Sequence, residues 1–292
     1  MPSSLFSTLI KNYDSLKYDL LEAHQFNPDH YGFDQICYDI MTNDRQRVDA
    51  FRKAFQQCDF QDKVICEAGI GNLALTKHYL PKVKKAYLIE YNPNLRKFIE
   101  SEISKNGWTH KVELIWGDAM TVQLPEKVDF IVGELMSIFC ANEYQVQIFK
   151  HLRQFLKPDG KLLPEKIINI IQLANTAFDQ NQRHYPINFS RHLPINLSLQ
   201  QVFNTIDLYT VEEELVQQKI PITPILSGEA NAVYMHSFIE IVKGCNFTGS
   251  DSLMPPTICA LDKSVMVQAH EQIELSSEFT YGTSLDEARF WI

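Results

Sequence analysis

The feature that most constrains the fold is a regular alternation of two kinds of segment between about residue 44 and residue 163. Short apolar runs alternate with longer segments whose apolar residues recur at helical spacing. The runs typical of strands are residues 63–67, 86–90, 112–116 and 128–132, and a run that starts at Lys161. The helical segments are residues 44–55, 74–80, 93–105 and 143–155. Because strands that alternate with helices pair in parallel through right-handed crossovers, we predict an open, Rossmann-like α/β sheet with its ligand at the carboxyl ends of the strands.

The pattern changes near Pro164, after which most segments are typical of strands separated by Gly, Pro, Asn and Asp turns. These strands are predicted at residues 167–173, 232–242, 264–268 and 288–292, whereas residues 197–209 fit a helix or a strand. We therefore expect a smaller, mainly antiparallel β domain. The predicted domains are residues 1–163, which hold N-terminal helices and the ligand-binding sheet, and residues 164–292.

The charge balance and the cysteines exclude several classes of function. Lysine and arginine number 27 against 36 aspartate and glutamate, a net charge of −9 with histidine neutral, so nucleic acid is not expected as a partner. We see no secretory signal and no apolar run long enough to span a bilayer, so we expect a cytoplasmic protein without a membrane partner. The six cysteines are scattered, without metal-ligand spacing, so no metal site is expected.

Two strand ends carry residues suited to a nucleoside. The first strand ends in Glu67 and is followed by Gly69 and Gly71, whose spacing lets the backbone turn tightly beneath a ligand. The third glycine of the dinucleotide-binding pattern is absent, since that position is Ala74, which disfavours a pyrophosphate-binding dehydrogenase. The next strand ends in Glu90, an acid that can accept hydrogen bonds from both hydroxyls of a ribose.

The third strand is followed by Asp118 and Ala119, where an aspartate can receive the exocyclic amine of adenine. Each of these signals is modest alone, but their order and their positions at strand ends agree. Together they favour a nucleoside ligand without phosphates, S-adenosyl-L-methionine, with S-adenosyl-L-homocysteine as its product.

The segment after the fourth strand narrows this interpretation. Glu134 and Glu143 lie nine residues apart, and the segment resembles the double-glutamate loop of the protein arginine methyltransferases, a family of class I methyltransferases. Upstream, the segment from Met41 through Asp44 to Arg47 resembles the same family's Met-x-x-Asp-x-x-Arg pattern. The resemblance covers about residues 41–170. The resemblance implies a class I methyltransferase sheet, with Met41 and Arg47 at the cofactor and Arg47 on its carboxylate. It also implies a β half for substrate and dimerisation, and a homodimer.

The chemistry of a guanidinium agrees with this resemblance. Its lone pairs are delocalised, so it is a poor nucleophile. Two carboxylates can bind it bidentately and localise its positive charge away from the attacking nitrogen. We therefore predict that Glu134 and Glu143 clamp the acceptor, a cationic guanidino- or amine-bearing protein, peptide or small molecule, and that one of them or a water takes the lost proton.

Two alternatives stay open: a small-molecule N- or O-methyltransferase with the same cofactor, and a cofactor-binding scaffold without activity. A nucleic-acid adenine methyltransferase is disfavoured, since the Asn/Asp-Pro-Pro-aromatic segment expected after the fourth strand is absent.

The sequence also departs from the family pattern. Leu73 stands where the family has a third glycine, so we expect the cofactor loop to differ slightly, and Leu135 stands where the family usually has tryptophan. The family's Thr-His-Trp segment is absent, so His236 and His270 are interpreted as structural histidines with satisfied hydrogen bonds. Tyr31 or Tyr38 is a candidate substitute for the family's N-terminal tyrosines, although packing is the simpler role for either.

Overall fold

The computed structural model of the chain describes Tyr38 and residues 41–187, 192–249 and 254–292. Tyr31 and Cys37 lie outside these residues. The two halves of the chain form different kinds of sheet, as their patterns predicted.

A parallel sheet of five strands forms the first half, in the order β3-β2-β1-β4-β5. The strands are β1 Val64–Ala68, β2 Lys85–Glu90, β3 Val112–Trp116, β4 Val128–Gly133 and β5 Leu156–Leu163. The helices are α1 Arg45–Gln56, α2 Thr76–Tyr79, α3 Arg96–Lys105 and α4 Gln145–Leu152, with 3₁₀ turns at Pro93–Leu95, Ile138–Cys140 and Arg153–Phe155. Every residue of β1 is buried, as expected for the central strand of a sheet that is covered on both faces. The predicted α/β sheet is confirmed.

Two predicted boundaries are wrong. The helix predicted over residues 74–80 is limited to α2, four residues long, because the loop after β1 continues to Leu75. The last parallel strand was predicted to start at Lys161 but starts at Leu156. Val128 pairs with Leu156 whereas Phe130 pairs with Lys161, so a shift in register lets β5 accommodate the turn-like residues 158–160.

Antiparallel strands form the second half. One sheet of seven strands follows the path β7-β13-β11-β6-β8, with β9 beside β6 and β12 beside β11, and a second sheet has the order β10-β14-β15. The bounds are β6 Lys166–Asn175, β7 His184–Pro186, β8 Ile195–Asn196, β9 Gln201–Asp207, β10 Leu215–Ile222, β11 Gly228–Val242, β12 Cys245–Thr248, β13 Thr257–Val267, β14 Ile273–Thr280 and β15 Arg289–Trp291. The predicted fold class, a Rossmann-like sheet followed by a mainly antiparallel β part, is confirmed. The ambiguous residues 197–209 contain a strand, β9, and the sequence had indicated neither β10 nor β14.

A continuous apolar core joins the two halves. Phe51 of α1 lies 6.1 Å, centroid to centroid, from Phe247 of β12, and Phe139 lies 5.3 Å from Phe203 of β9. The sheet type changes between Leu163 and Lys166, and the division of the chain into two domains at this point stays a prediction. Within the described residues, no helix is both long enough and apolar enough to cross a membrane.

Candidate active site

A cavity of about 420 Å³ lies at the carboxyl ends of the parallel strands. All ten residues that the sequence singled out contribute to its lining: Met41, Arg47, Glu67, Gly69, Gly71, Glu90, Asp118, Ala119, Glu134 and Glu143. They come from six separate stretches of chain, and the fold brings them together because the strand ends of a parallel sheet meet at one edge.

The loop after β1 has a left-handed backbone at three alternate positions. The φ angles are 67° at Gly69, 48° at Gly71 and 65° at Leu73. Glycine adopts this conformation at little cost, whereas a side chain makes it strained. Leu73 is buried and takes the conformation that glycine favours, so the backbone at this position is the one that a third glycine would adopt.

Glu90 is held rigidly at the end of β2. Its Oε2 accepts a hydrogen bond from the Gly71 amide at 2.9 Å, and its Oε1 accepts one from the Asn92 amide at 2.8 Å. Burial raises the pKa of Glu90, and these backbone donors oppose that rise. Because each carboxylate oxygen has a second lone pair, Glu90 can still accept the two hydroxyls of a ribose. Asp118 is fixed in the same way, since its Oδ1 accepts from the Met120 amide at 2.8 Å.

Glu67 is buried beneath the loop, and two hydroxyl groups donate to the same oxygen of its carboxylate. Thr76 Oγ1 lies 2.7 Å from Glu67 Oε2, and the Tyr79 hydroxyl donates to the same atom. Burial raises the pKa of Glu67 to about 7, and the two hydroxyl donors oppose the rise. Glu67 is therefore a carboxylic acid that changes its charge near neutral pH.

Arg47 connects helix α1 to the loop after β4. Asp44 caps α1 by accepting from the Arg47 amide at 3.3 Å, and its Oδ2 lies 3.5 Å from Arg47 Nε. The other end of the guanidinium donates from Nη1 to Glu134 Oε2 at 2.8 Å, and both side chains are nearly buried. The sequence did not predict this ion pair between the expected cofactor ligand and the expected clamp.

Glu134 and Glu143 share this buried site. Oε1 of Glu134 is buried and has no hydrogen-bond partner within the part of the chain that the structure describes. Burial and, second, the charge of Glu134 raise the pKa of Glu143 to about 7, against the opposing charge of Arg47. The cavity lining holds five carboxylic acids and one arginine, a balance that attracts cationic ligands.

The cavity lining also includes Tyr38, one of the two candidate substitutes for the family's tyrosines, and residues to which the sequence analysis gave no site role. The Tyr38 ring lies against Gly71, where a Cβ would come within 2.7 Å of it, and Leu135 packs in the same way against Gly69. Asn142 and Tyr144 flank Glu143 in the lining. The sequence signal that could have identified Leu135, Asn142 and Tyr144 is their position beside Glu134 or Glu143.

His236 and His270, which the sequence analysis considered, do not line the cavity. His236 lies on β11, and neither of its ring nitrogens has a hydrogen-bond partner among the described residues, so the expectation of a satisfied structural histidine is wrong there. His270 is exposed, with a φ of 68°, in the turn between β13 and β14 rather than on a strand.

Comparisons with solved structures agree with this fold. The protein is similar to the Trypanosoma brucei PRMT1 enzyme–prozyme heterotetrameric complex with AdoHcy, with a TM-score of 0.68 at 17% identity, covering 82% of this chain and 86% of that one. It is equally similar to Arabidopsis thaliana protein arginine methyltransferase 10, with a TM-score of 0.68 at 16% identity, covering 86% of this chain and 88% of that one.

Sequence comparisons identify the family. The chain is 27% identical over 234 residues to the uncharacterized protein MJ1452 of Methanocaldococcus jannaschii, covering 79% of this chain and 87% of that protein. It is 28% identical over 178 residues to the histone-arginine methyltransferase CARMER of Drosophila ananassae, covering 60% of this chain but 32% of that protein, so it spans about a third of the CARMER length. Residues 6–163, more than half of the chain, match the family model described as PRMT5 arginine-N-methyltransferase. The chain therefore belongs to the PRMT5 arginine-N-methyltransferase family of enzymes, which confirms the resemblance seen in its sequence.

Proposed function

We propose that this protein transfers a methyl group from S-adenosyl-L-methionine to a guanidino nitrogen that Glu134 and Glu143 hold. The observation that carries the proposal is Oε1 of Glu134, which is buried, has no hydrogen-bond partner among the described residues, and lies in the same cavity as Glu143 and the glycine loop. A buried carboxylate oxygen without a partner is costly, and a cationic donor such as a guanidinium removes that cost.

The residues of the cavity fit the cofactor. Glu90 is held with lone pairs free for ribose hydroxyls, and Asp118 lies at the end of the neighbouring strand for the adenine amine. Gly69 and Gly71 line the cavity with left-handed backbone, which a residue with a side chain would adopt only under strain. The cofactor supplies a methyl group on a sulfonium, a cation that suits the acidic lining.

Arg47 has two roles in this proposal. Through Nη1 it holds Oε2 of Glu134, which leaves Oε1 for the acceptor. The same guanidinium is proposed to bind the carboxylate of the cofactor, since Arg is suited to recognition of carboxylates. Arg47 thus contacts both the cofactor and Glu134, and fixes their positions relative to each other.

The two glutamates have different tasks. Glu134 binds the guanidinium and draws its positive charge away from the attacking nitrogen. When that nitrogen bonds to the methyl carbon it must lose a proton, and Glu143 is placed to accept it. Burial raises the pKa of Glu143, so with the acceptor bound it stays a stronger base than an exposed carboxylate in the same position would be.

The acceptor that we propose is an arginine side chain of a protein or peptide. The acidic lining and the net charge of −9 favour such a cation. Labelled S-adenosyl-L-methionine offered with an arginine-rich peptide, a matched lysine peptide and free arginine tests it. We expect label on the arginine peptide. Label on the lysine peptide or on a small molecule would instead support the small-molecule or amine alternative.

The clamp is tested with Glu134→Gln, which keeps the shape of the side chain but removes its charge. We expect methyl transfer to fall at least about 100-fold, as for the loss of a charge-stabilising group in other enzymes. Binding of S-adenosyl-L-homocysteine, measured by calorimetry, should change less than about threefold, because Arg47 keeps its charge. The matched control is Glu274→Gln, which alters an exposed pair with Lys219 far from the cavity lining. Full activity in Glu134→Gln contradicts the clamp.

A further inference from the structure

The loop that carries the two glutamates has a strained backbone. Phe139, Cys140 and Asn142 have φ angles of 57°, 53° and 62°, in the left-handed region that glycine favours, and none of them is glycine. Phe139 and Cys140 are also fully buried. A bulky residue keeps such a conformation when its surroundings impose it, so the contacts of Phe139 identify what determines the shape of the loop.

A chain of hydrogen bonds between side chains starts at this strained residue. The Phe139 amide donates to Ser237 Oγ at 2.9 Å, and Ser237 Oγ donates to Asn169 Oδ1 at 2.7 Å. Asn169 Nδ2 donates to Asn204 Oδ1, and Asn204 Nδ2 donates to the Tyr281 hydroxyl, both at 2.9 Å. Ser237 and Asn169 are fully buried. The chain therefore runs from the glutamate loop into the interior of the antiparallel half.

The direction of these bonds is determined by the donors available. Asn169 Oδ1 has no proton, so the single proton of Ser237 must point to it. The lone pairs of Ser237 Oγ are then free for the Phe139 amide. Because each member uses its donor or acceptor on the next, the loss of Ser237 would leave both the Phe139 amide and Asn169 Oδ1 buried without this partner.

Further contacts with the antiparallel half hold the same loop. The Phe139 ring lies 5.3 Å from the Phe203 ring and 5.9 Å from the Phe279 ring. The Gly282 amide donates to the Cys140 carbonyl at 2.8 Å, and the Asn142 amide donates to the Thr283 carbonyl at 3.0 Å. The antiparallel half thus holds the middle of the loop, while Glu134 leaves β4 of the parallel sheet.

We propose that Ser237 and Phe139 are positioning residues, which hold the loop in its left-handed conformation and thereby set the separation of the Glu134 and Glu143 carboxylates for the acceptor. This inference rests on the proposed function, because the two residues affect methyl transfer only through the positions of Glu134 and Glu143. Neither residue lines the cavity. Their effect is therefore on the geometry of the carboxylates and not on contact with a ligand.

Apart from Arg47, which pairs with Glu134, the residues predicted to bind the adenosine part of the cofactor are held outside this loop. The loop after β1, Glu90 and Asp118 are held by hydrogen bonds within the parallel half. A loosened glutamate loop should thus reduce the rate of the chemical step while cofactor affinity stays nearly constant. A displacement of about 1 Å in a catalytic group is enough for a loss of about 100-fold.

The first test is Ser237→Ala, which removes the acceptor of the Phe139 amide. We expect kcat for methyl transfer to fall at least about tenfold, and the Kd for S-adenosyl-L-homocysteine to change less than about twofold. Ser237→Thr keeps the hydroxyl group and should recover most of the lost rate. The matched control is Ser277→Ala, a buried serine on β14 that donates to the Gln218 carbonyl at 3.3 Å. A kcat for Ser237→Ala within twofold of the wild type would overturn the proposal.

A second readout does not depend on activity. Hydrogen–deuterium exchange of the segment 134–143 should be at least about tenfold faster in Ser237→Ala, with exchange in β1 unchanged. Unchanged exchange in the loop would refute the positioning role. The loop could exchange faster in Ser237→Ala while the wild-type protein methylates no guanidino acceptor. In that case the proposed function fails, and so does the positioning of Glu134 and Glu143 for an acceptor. The conclusion that Ser237 anchors the loop would still hold. Should Ser237→Ala fail to fold, Phe139→Leu offers the same two readouts, because it shortens the ring anchor but keeps the amide donor.

Discussion

The pH dependence of acceptor methylation is the strongest test of the proposed base. Burial and the neighbouring Glu134 raise the pKa of Glu143 to about 7 in the ligand-free protein. Glu143 must be ionised to bind a guanidinium, so kcat/KM for the acceptor should rise with pH and level off above about pH 8. With a pKa of about 7, about one tenth of the molecules are ionised at pH 6 and about nine tenths at pH 8. We therefore expect kcat/KM to be about tenfold lower at pH 6 than at pH 8.

The same reasoning predicts a different profile for kcat. Once the acceptor is bound, its guanidinium lies against Glu143, and an opposite charge at such a distance lowers a carboxylate pKa by about 1–3 units. As the pH is lowered, kcat should therefore begin to fall only at about pH 4–6, whereas kcat/KM falls near pH 7. Glu143→Gln should lose activity about 100-fold or more, and its residual rate should lack the limb near pH 7.

The assay measures initial rates of label transfer to an arginine peptide between pH 5.5 and pH 8.5 at constant ionic strength and saturating S-adenosyl-L-methionine. The pKa of Glu67 is also raised to about 7, so S-adenosyl-L-homocysteine affinity must be measured over the same range to separate its effect. Protonation of Glu143 does not destabilise the folded protein, so unfolding through this group would not produce the expected loss of activity at low pH. Its pKa in the folded protein lies above that in the unfolded chain, so its contribution to stability falls as pH rises from about 4.5 to 7 and is restored at lower pH. A kcat/KM that stays constant between pH 6 and pH 8 refutes the assignment.

Two further predictions concern stability. Leu73→Gly relieves a left-handed leucine, a gain of about 1–2 kcal/mol, but removes a buried side chain worth about 2–5 kcal/mol. Urea denaturation should therefore show a net loss centred on about 2 kcal/mol, within about 0–4 kcal/mol. Higher stability in this variant contradicts the balance. Tyr79→Phe removes a hydroxyl that stabilises ionised Glu67, and we expect a loss of about 1.5–3 kcal/mol at pH 8. Removing this donor raises the pKa of Glu67 further, so the loss should be smaller at pH 6, where Glu67 is largely protonated. An equal loss at both pH values would show that the hydroxyl does not favour the charged form.

The site could be predicted from the sequence because most of its residues lie at or just after strand ends. Glu90 and Glu134 each follow a run that is apolar enough to be a buried strand, and parallel strands end at one edge of the sheet. Gly69 and Gly71 were visible because left-handed backbone selects glycine. Such local signals do not depend on the rest of the chain, so each can be identified from the sequence of its own segment.

Strand β10 shows why part of the fold was missed. It contains Pro221 and alternates weakly between apolar and polar residues, so its sequence is not typical of a strand. It lies at the edge of its sheet and pairs with β14 over eight residues. A proline is tolerated at an edge because one side of the strand needs no ladder donors. The pairing partner, and not the local pattern, makes these residues a strand.

The sequence by itself determined the parallel sheet, the change to antiparallel strands and the acids that line the cavity, because hydrophobic period and turn residues are properties of neighbouring positions. The tertiary structure decided that Arg47 pairs with Glu134, 87 positions away, and that Ser237 holds Phe139, 98 positions away. It also decided that Leu73 and Phe139 take a backbone conformation that their own side chains disfavour. These features depend on contacts between distant segments, whose packing energy outweighs local preference once the core has formed.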